Sequence, residues 1–286
     1  MKNDKILKDY KKKKLLVDVP FIESHLKVAA NQNISFDDNF EFSNNSLILK
    51  EGRDAVLDLS DCDYSSLEIN VLLGARLKLK IIDNLYLKDL KIKLSDKANL
   101  CFDYQNLNDM HVFNNQIFVQ NECKLLLNYF CKSSELAYKN VRVECLGRNS
   151  EIDLASLDLL DKNAKYYSLF ALDFKDKSNN GEMKLNGIID DNSVIDLHGQ
   201  IFISEEANLT DSNMDQEIVV LSKDARALTT PELAIKTNDV KAGHGVSVSK
   251  INADKLFYLM SKGISEIDAK NLIVEGYLEL IKSRFF

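Results

Sequence analysis

The fold is decided by residues 66–81, which read SLEINVLLGARLKLKI. Apolar residues recur at every second position in this stretch, first at Leu67, Ile69, Val71 and Leu73 and then at Leu77, Leu79 and Ile81. A period of two is typical of β-strands that bury one face. The stretch therefore predicts strands that are buried on one face.

The same alternation recurs further along the chain. It is visible in Leu90–Leu94, Val141–Cys145, Ile152–Leu154 and Ile201–Ile203. The whole chain contains only two prolines, so few of these segments carry a residue that cannot donate to a strand ladder. The sequence therefore predicts a mainly β protein from about residue 65 onward.

The turns between these segments also resemble one another, because each is polar and ends in a small residue. They occur at residues 95–98, 147–150, 161–164, 190–193, 204–207 and 222–225. The last residues of the final five turns are 14, 29, 14 and 18 positions apart. Corners that return at a loose period favour a β-solenoid, although a β-sandwich also has short strands and frequent turns.

The end of the chain predicts two helices. Gly263 is placed to end the first helix, and the capping-box pattern Ser265–Asp268 opens the second. Apolar or small residues then follow at helical spacing: Ala269, Leu272, Ile273, Gly276, Tyr277, Leu280 and Ile281. A stripe of this kind packs either on its own domain or on a partner, and Gly276 would permit close backbone approach to either.

Composition excludes several classes of protein. The net charge of −7 and the pI near 5.3 argue against nucleic-acid binding, which needs a basic surface. The sequence contains no stretch of 18 apolar residues, so it predicts no membrane-spanning helix. Residues 1–14 hold seven lysines, but no apolar stretch of signal-peptide length follows them. We therefore expect a solvated N-terminal arm and a cytoplasmic protein.

The sequence indicates no enzyme site, either in the pattern of its cysteines or in the common catalytic motifs, which it lacks. Five cysteines without a C-x-x-C pair predict small buried side chains, not a disulfide framework or zinc site. The chain has no P-loop, so it has no ATP site of its own, and it lacks the G-x-S-x-G and H-E-x-x-H motifs. The acidic pairs Asp190–Asp191 and Glu205–Glu206 fall in predicted turns, where they are solvated corners.

Three C-terminal strings resemble the signature of the SufB/SufD family. They are TPELAI at 230–235, NDVKAGHG at 238–245 and LFYLMSKGI at 256–264. Members of that family work with an ABC-type ATPase in the SUF machine, which assembles iron–sulfur clusters. The resemblance implies a right-handed parallel β-helix at residues 65–237, after an N-terminal arm and irregular region at 1–64. Residues 238–286 would then be a helical region for partner docking.

Three departures make the chain resemble the SufD branch more than the SufB branch. Gly245 stands where SufB-like chains have a glutamate, and Leu259 stands where they commonly have a cysteine. The region around Asp224 also lacks the cysteine that precedes the proline-containing strand in that branch. The resemblance therefore implies a non-catalytic scaffold subunit that pairs with a SufB-like paralogue and does not build a cluster alone.

The resemblance also implies roles for particular residues. His244 matches a histidine at the interface between the paired subunits, a proposed ligand of a transient, shared cluster; its flanking glycines alone would instead predict a tight turn. The helical region would dock a SufC-like ABC ATPase, and the residues expected to contact it are Leu256, Phe257, Tyr258, Leu272, Ile273 and Tyr277. Two alternatives stay open: a homodimeric scaffold, or a β-helical carbohydrate-active enzyme.

Overall fold

The computed structural model describes residues 39–284, except residues 44, 61, 63, 85, 109, 110, 252 and 283. All the described residues belong to one compact unit. The solvated arm predicted at residues 1–14 lies outside the described part of the chain, as does most of the irregular region predicted up to residue 64.

Two stacked sheets form the body of the protein. Among the described residues, sheet A consists of nine strands: β1 (Phe40–Ser43), β2 (Ser46–Leu49), β4 (Ser66–Val71), β6 (Asp89–Leu94), β8 (His111–Val119), β10 (Leu136–Cys145), β12 (Lys165–Phe174), β14 (Val194–Ile203) and β16 (Arg226–Ile235). Sheet B consists of eight: β3 (Asp54–Asp58), β5 (Arg76–Ile82), β7 (Asn99–Asn106), β9 (Lys124–Ser133), β11 (Glu151–Leu160), β13 (Asn180–Ile189), β15 (Asp211–Val220) and β17 (Lys241–Lys250). From β2 onward the chain alternates between the sheets, and all of these later strands pair in parallel.

This topology is a parallel β-helix, which confirms the predicted solenoid. A sandwich is wrong because its strands pair antiparallel, whereas here only β1 and β2 do so among the described strands. Each coil contains one strand from each sheet. The residues that occupy the same place in successive coils include Leu136, Lys165, Val194 and Arg226, so these coils are 29, 29 and 32 residues long.

Polar turn residues connect one coil to the next at the corners. The Asp96 carboxylate accepts hydrogen bonds from the backbone N–H and the side-chain amide of Asn121 in the following coil, at 3.0 and 2.9 Å. Asn149 and Asp191 have positive φ values of 58° and 52°. Asn and Asp adopt this conformation more readily than most residues, although Lys97 and Lys162 occupy it in two other predicted turns.

Columns of apolar side chains fill the interior. One column in sheet B contains Leu79, Phe102, Leu127, Leu154, Met183 and Met214, all of which are buried. Each fully buried side chain of this size contributes roughly 1.5–3 kcal/mol relative to the exposed state. The alternation in the sequence arises because every second residue of a strand enters such a column.

The two predicted helices are present as α1 (Ala253–Ser261) and α2 (Glu266–Lys282). Gly263 lies just after the end of α1 and has a φ of 87°. Its backbone N–H donates to the carbonyl of Met260 at 3.0 Å. The Ser265 hydroxyl accepts from the backbone N–H of Asp268 at 3.1 Å. The predicted stop and cap are therefore both confirmed.

Helix α2 packs on the outer face of sheet B. Val274, Tyr277 and Leu278 cover a second apolar cluster, whose buried members are Ala155, Leu157, Ile188, Val219 and Leu221. Two members of the predicted stripe do not join this contact, because Leu272 is exposed and a side chain at Gly276 would meet open space. Part of the predicted stripe therefore faces the domain, since Ala269 is buried and Tyr277 joins the cluster, whereas Gly276 makes no close approach to the core.

The coil stack extends beyond the predicted limits of 65–237. It includes β2 and β3 on the N-terminal side and β17 on the C-terminal side. Strand β17 is rich in glycine and serine, so apolar alternation did not reveal it. Within the described residues, no helix has the length and apolar character needed to cross a membrane.

Candidate interface at the C-terminal end of the solenoid

The last coil of the solenoid leaves its core open. Strands β16 and β17 are the final strands of their sheets, and no other described strand pairs with their outer edges. Ile235, Val246 and Val248 align with buried inward-facing residues of the preceding coil but are 39%, 44% and 49% exposed. Apolar side chains that face the core side and remain uncovered mark a surface that another chain can complete.

His244 lies at this open end. It aligns in β17 with Met214, which is fully buried, so the imidazole is the last position of an interior column. The side chain is exposed because no described coil covers it. The tight-turn interpretation of its flanking glycines is wrong, since the segment is an extended strand. At Gly245 a Cβ would lie 2.7 Å from the Asp215 carboxylate, so a larger residue there would require the Asp215 side chain to move.

His244 has no neighbouring set of metal ligands within the described residues. No group of three or more His, Cys, Asp or Glu side chains in that part of the chain is arranged to hold a metal ion. Any cluster bound there would need ligands beyond those that the described residues bring together. His244 is therefore one donor at an open surface, not a complete site.

Four of the five cysteines lie in the interior of the protein. Cys62, Cys123, Cys131 and Cys145 are buried, which confirms the prediction of small buried side chains. Burial raises the pKa of Cys123 to about 11, and it also raises the pKa of the half-buried Cys101. A thiol with a raised pKa remains protonated at neutral pH and is a poor ligand and nucleophile.

The helical hairpin carries several exposed apolar side chains. Of the residues predicted to contact a partner, Phe257, Tyr258 and Leu272 are exposed, at 72%, 60% and 46%. Leu256 and Ile273 are half-buried. Two further apolar residues of the hairpin are exposed, Met260 and Ile267, and sequence reasoning missed both. We call Phe257, Tyr258, Met260, Ile267 and Leu272 the hairpin patch.

Tyr277 differs from the other predicted contact residues. It packs against the apolar cluster on sheet B, and its hydroxyl donates to the Glu217 carboxylate at 3.1 Å. Burial and this carboxylate raise the pKa of Tyr277. The residue therefore anchors α2 to β15, next to the open-edge strand β17.

Arg284, which follows α2, connects the C-terminal end of the helix to sheet B. The Arg284 Nε donates to the Asn128 side-chain carbonyl at 3.0 Å, and the Asn128 amide donates to the Arg284 backbone carbonyl at 3.1 Å. The Arg284 guanidinium also lies 2.8 Å from the Asp153 carboxylate. These contacts fix the helix across β9 and β11, so the hairpin patch has a set position on the solenoid.

Comparison with known proteins agrees with this architecture. The family model described as the SufBD core domain of the SUF system for FeS cluster assembly matches residues 42–277. The chain belongs to this family. The match runs from β1 to α2, and therefore covers the solenoid, the open end and most of the helical hairpin.

Individual relatives place the chain on the SufD side of the family. It is 24% identical to the iron–sulfur cluster assembly protein SufD of Escherichia coli over 204 residues, which are 71% of this chain and 46% of that protein. It is 31% identical to SufD of Bacillus subtilis over 102 residues, 36% of this chain and 23% of that protein. A SufBD family protein of Pyrococcus horikoshii is 34% identical over 110 residues, 35% of this chain and 24% of that protein. The predicted SufD-like membership is confirmed, although the matches span less than half the length of each relative.

Proposed function

We propose that this chain is a non-catalytic, SufD-like subunit of a cytoplasmic scaffold that assembles iron–sulfur clusters. In this proposal it pairs with a SufB-like paralogue and binds a SufC-like ABC ATPase. The observation that carries the proposal is the open end of the solenoid, where apolar inward-facing side chains and two strand edges lack a described neighbour. Such ends are sites of association with another sheet.

The hairpin patch is the proposed docking surface for the ATPase. Its aromatic and aliphatic side chains are exposed on helices that the solenoid holds in place, which favours recognition by a grooved partner. The chain itself lacks a P-loop, so ATP hydrolysis belongs to the partner subunit in this proposal. Because α2 also packs beside β15, movement of the ATPase would act close to the open end.

His244 is the proposed ligand for the cluster cargo. Imidazole is a suitable ligand for iron, and the open end would bring donors from the paralogue next to it. A cluster held between two chains is shared, and separation of the chains would release it. The structure supports this role by the exposure of His244 and by its place at the end of an interior column.

A double variant of the hairpin patch tests the docking proposal. Phe257→Ala with Tyr258→Ala is expected to weaken ATPase binding by about tenfold or more, because exposed aromatic residues often dominate interface energy. Binding of the paralogue should persist. We would co-express the chain with the host's SufB-like and ABC ATPase proteins, purify by affinity tag and measure composition by native mass spectrometry.

Tyr86→Ala is the matched control, since Tyr86 is 66% exposed and lies outside the helical hairpin. It should leave both partners bound. Equal loss of the ATPase with the control and the double variant would contradict docking at the hairpin patch. Failure of the wild type to bind either protein would contradict the proposed function as a whole.

Substitution of His244 tests its role as a ligand. His244→Ala is expected to leave the complex with the paralogue intact but to remove most of the iron and acid-labile sulfide retained after reconstitution. His244→Gln retains more of the size and polarity of the side chain than His244→Ala does. It should lose iron and sulfide to the same extent as His244→Ala, because an amide is a poor iron ligand. Unchanged iron and sulfide contents in both variants would exclude His244 as a ligand.

The open end also fits a second copy of this chain, which is the homodimeric alternative. Sedimentation of the purified chain with and without the paralogue separates these two arrangements. The carbohydrate-enzyme alternative has less support, because the acidic pairs Asp190–Asp191 and Glu205–Glu206 lie at corners of the coil, as predicted. They do not form a facing pair of carboxylates on a strand face.

A further inference from the structure

Lys139 and Asp158 meet inside the solenoid, where the two sheets face each other. Lys139 belongs to β10 of sheet A and Asp158 to β11 of sheet B, and these strands follow one another in the chain. The Lys139 ammonium lies 2.8 Å from Oδ1 of the Asp158 carboxylate, and neither side chain is exposed to solvent. An amine and a carboxyl group are the two reactants of an amide bond, and the fold holds them in contact before any reaction begins.

Aromatic rings enclose the pair and keep water away from it. The rings of Tyr129, Tyr166 and Phe170 lie 5.7, 5.5 and 5.2 Å from the Lys139 nitrogen, and all three side chains are buried. Charges are poorly solvated in such a place, and transfer of one proton from the ammonium to the carboxylate removes both of them. The transfer also produces a nucleophilic amine and a carboxylic acid. Exclusion of water protects an amide formed there from hydrolysis.

The Ser156 hydroxyl provides a path for that proton. It accepts a hydrogen bond from the Lys139 ammonium at 3.1 Å and donates one to Oδ2 of Asp158 at 3.2 Å. A hydroxyl that accepts on one side and donates on the other passes a proton from the nitrogen to the oxygen. Oδ2 is therefore the oxygen that becomes the leaving group.

Tyr166 is placed to stabilise the other oxygen of the carboxylate. Its hydroxyl donates to Oδ1 of Asp158 at 2.8 Å. Negative charge develops on this oxygen when an amine adds to the carboxyl carbon, and a donor that is already in place lowers the energy of that state. The two oxygens of Asp158 thus have different partners, which match the two roles that amide formation requires.

We propose that Lys139 and Asp158 condense in the folded protein and form an isopeptide bond between β10 and β11. The Lys139 Nζ adds to the Asp158 Cγ, the Cγ–Oδ2 bond breaks, and Oδ2 leaves as water with two protons from the ammonium. The step is a condensation and needs no oxidant or reductant. The ion pair in the structure is its reactant state, and the product is a cross-link that joins sheet A to sheet B within one coil.

The mass of the intact, purified chain tests the proposal. The wild type, denatured before the measurement, is expected to weigh less than its sequence by the mass of one water. Lys139→Arg is the matched control, because a guanidinium keeps the positive charge but is not a nucleophilic amine, and its mass should equal that of its sequence. Asp158→Asn should instead lose the mass of one ammonia, since nitrogen is then the leaving group.

Digestion with trypsin and mass spectrometry of the peptides locate the bond. The wild type should yield a linked pair of peptides that contain Lys139 and Asp158, and cleavage after Lys139 should be absent. Ser156→Ala should retain unlinked chain after an expression time at which the wild type is fully linked, because it lacks the hydroxyl that moves the proton. Circular dichroism verifies that the wild type and the variants are folded.

Two results would overturn the isopeptide bond. One is a folded wild type whose mass equals that of its sequence, and the other is a mass deficit that persists in folded Lys139→Arg. Complete condensation in folded Ser156→Ala would overturn the role of Ser156 in proton transfer.

Discussion

Replacing Asp158 with alanine is expected to lower the free energy of unfolding by about 3–5 kcal/mol. The Lys139 ammonium lies 2.8 Å from the Asp158 carboxylate inside the β-helix, and neither side chain is exposed to solvent. Without Asp158, the folded state would hold an uncompensated charge in a region of low polarity. The desolvation cost of that charge is the physical source of the expected loss.

The surroundings of the ion pair make relaxation difficult. The ammonium also donates to the Ser156 hydroxyl at 3.1 Å, and the Tyr166 hydroxyl donates to the Asp158 carboxylate at 2.8 Å. The rings of Tyr129, Tyr166 and Phe170 lie 5.7, 5.5 and 5.2 Å from the ammonium. These rings attract the cation, but they cannot replace the carboxylate as an acceptor.

The double variant Lys139→Met with Asp158→Leu is the matched control. It removes both charges and is expected to cost much less than Asp158→Ala, because apolar residues of similar size often replace a buried ion pair without loss. Guanidinium unfolding curves with equal slopes would give the difference in stability. A loss below about 1 kcal/mol for Asp158→Ala would show that solvent or another group compensates Lys139 in the native state.

The sequence predicted the solenoid in the regions where apolar and polar residues alternate along each strand, so that one face of the strand is buried. Leu67, Ile69 and Val71 alternate with polar residues because they enter the core while their neighbours do not. The corners were predictable for a similar local reason, since short polar segments that end in a small residue form the turns. Each of these two signals is carried by residues that are close together in the sequence.

Features that depend on the next coil were not predictable in this way. Strand β17 forms because β15 offers an edge, and its own residues show little apolar alternation. Lys139 and Asp158 meet only after the chain turns from sheet A to sheet B. In the sequence, this ion pair is indicated only by the opposite charges of Lys139 and Asp158 at inward-facing positions of consecutive strands.

The candidate site shows the same limit. His244 was found through a resemblance of sequence motifs, whereas its place at the end of an interior column required the register of β17 on β15. The apolar stripe of α2 was predicted at the correct period, but the sequence left open which of its residues pack on the domain: Ala269 and Tyr277 do so, whereas Leu272 is exposed. Helical spacing fixes the pattern of a stripe, but the surface beneath the helix decides which side is buried.

The stability of the solenoid is expected to fall as the pH drops below about 6.5, because a buried histidine must remain neutral. His111 is only 7% exposed, and burial together with the nearby charge of Lys139 lowers its pKa from 6.5 to about 3. Its ring nitrogens lie 3.9 Å from the Cys131 sulfur, and the rings of Tyr104 and Tyr166 lie beside it. None of these neighbours is an anion that would stabilise the imidazolium.

The direction of the effect follows from proton binding in the two states. Between pH 6.5 and about 3 the unfolded chain binds a proton at His111 and the folded chain does not. Lowering the pH therefore favours unfolding, by at most about 1.4 kcal/mol per pH unit, and the stability is fully present only above 6.5. From pH 7 to pH 5 this residue alone should cost about 2 kcal/mol.

His111→Phe should remove this component, because phenylalanine does not titrate and suits a site lined by aromatic rings. The carboxylates whose pKa values are lowered, such as Asp54 and Glu68, lose their contribution below about pH 4.5, so unfolding curves at pH 7 and pH 5 report mainly on the histidine. The wild type should lose stability between these two conditions and the variant should lose much less. Equal losses in the two proteins would mean that the imidazole of His111 accepts a proton in the folded state, and hence that the interior beside Lys139 is more polar than its packing indicates.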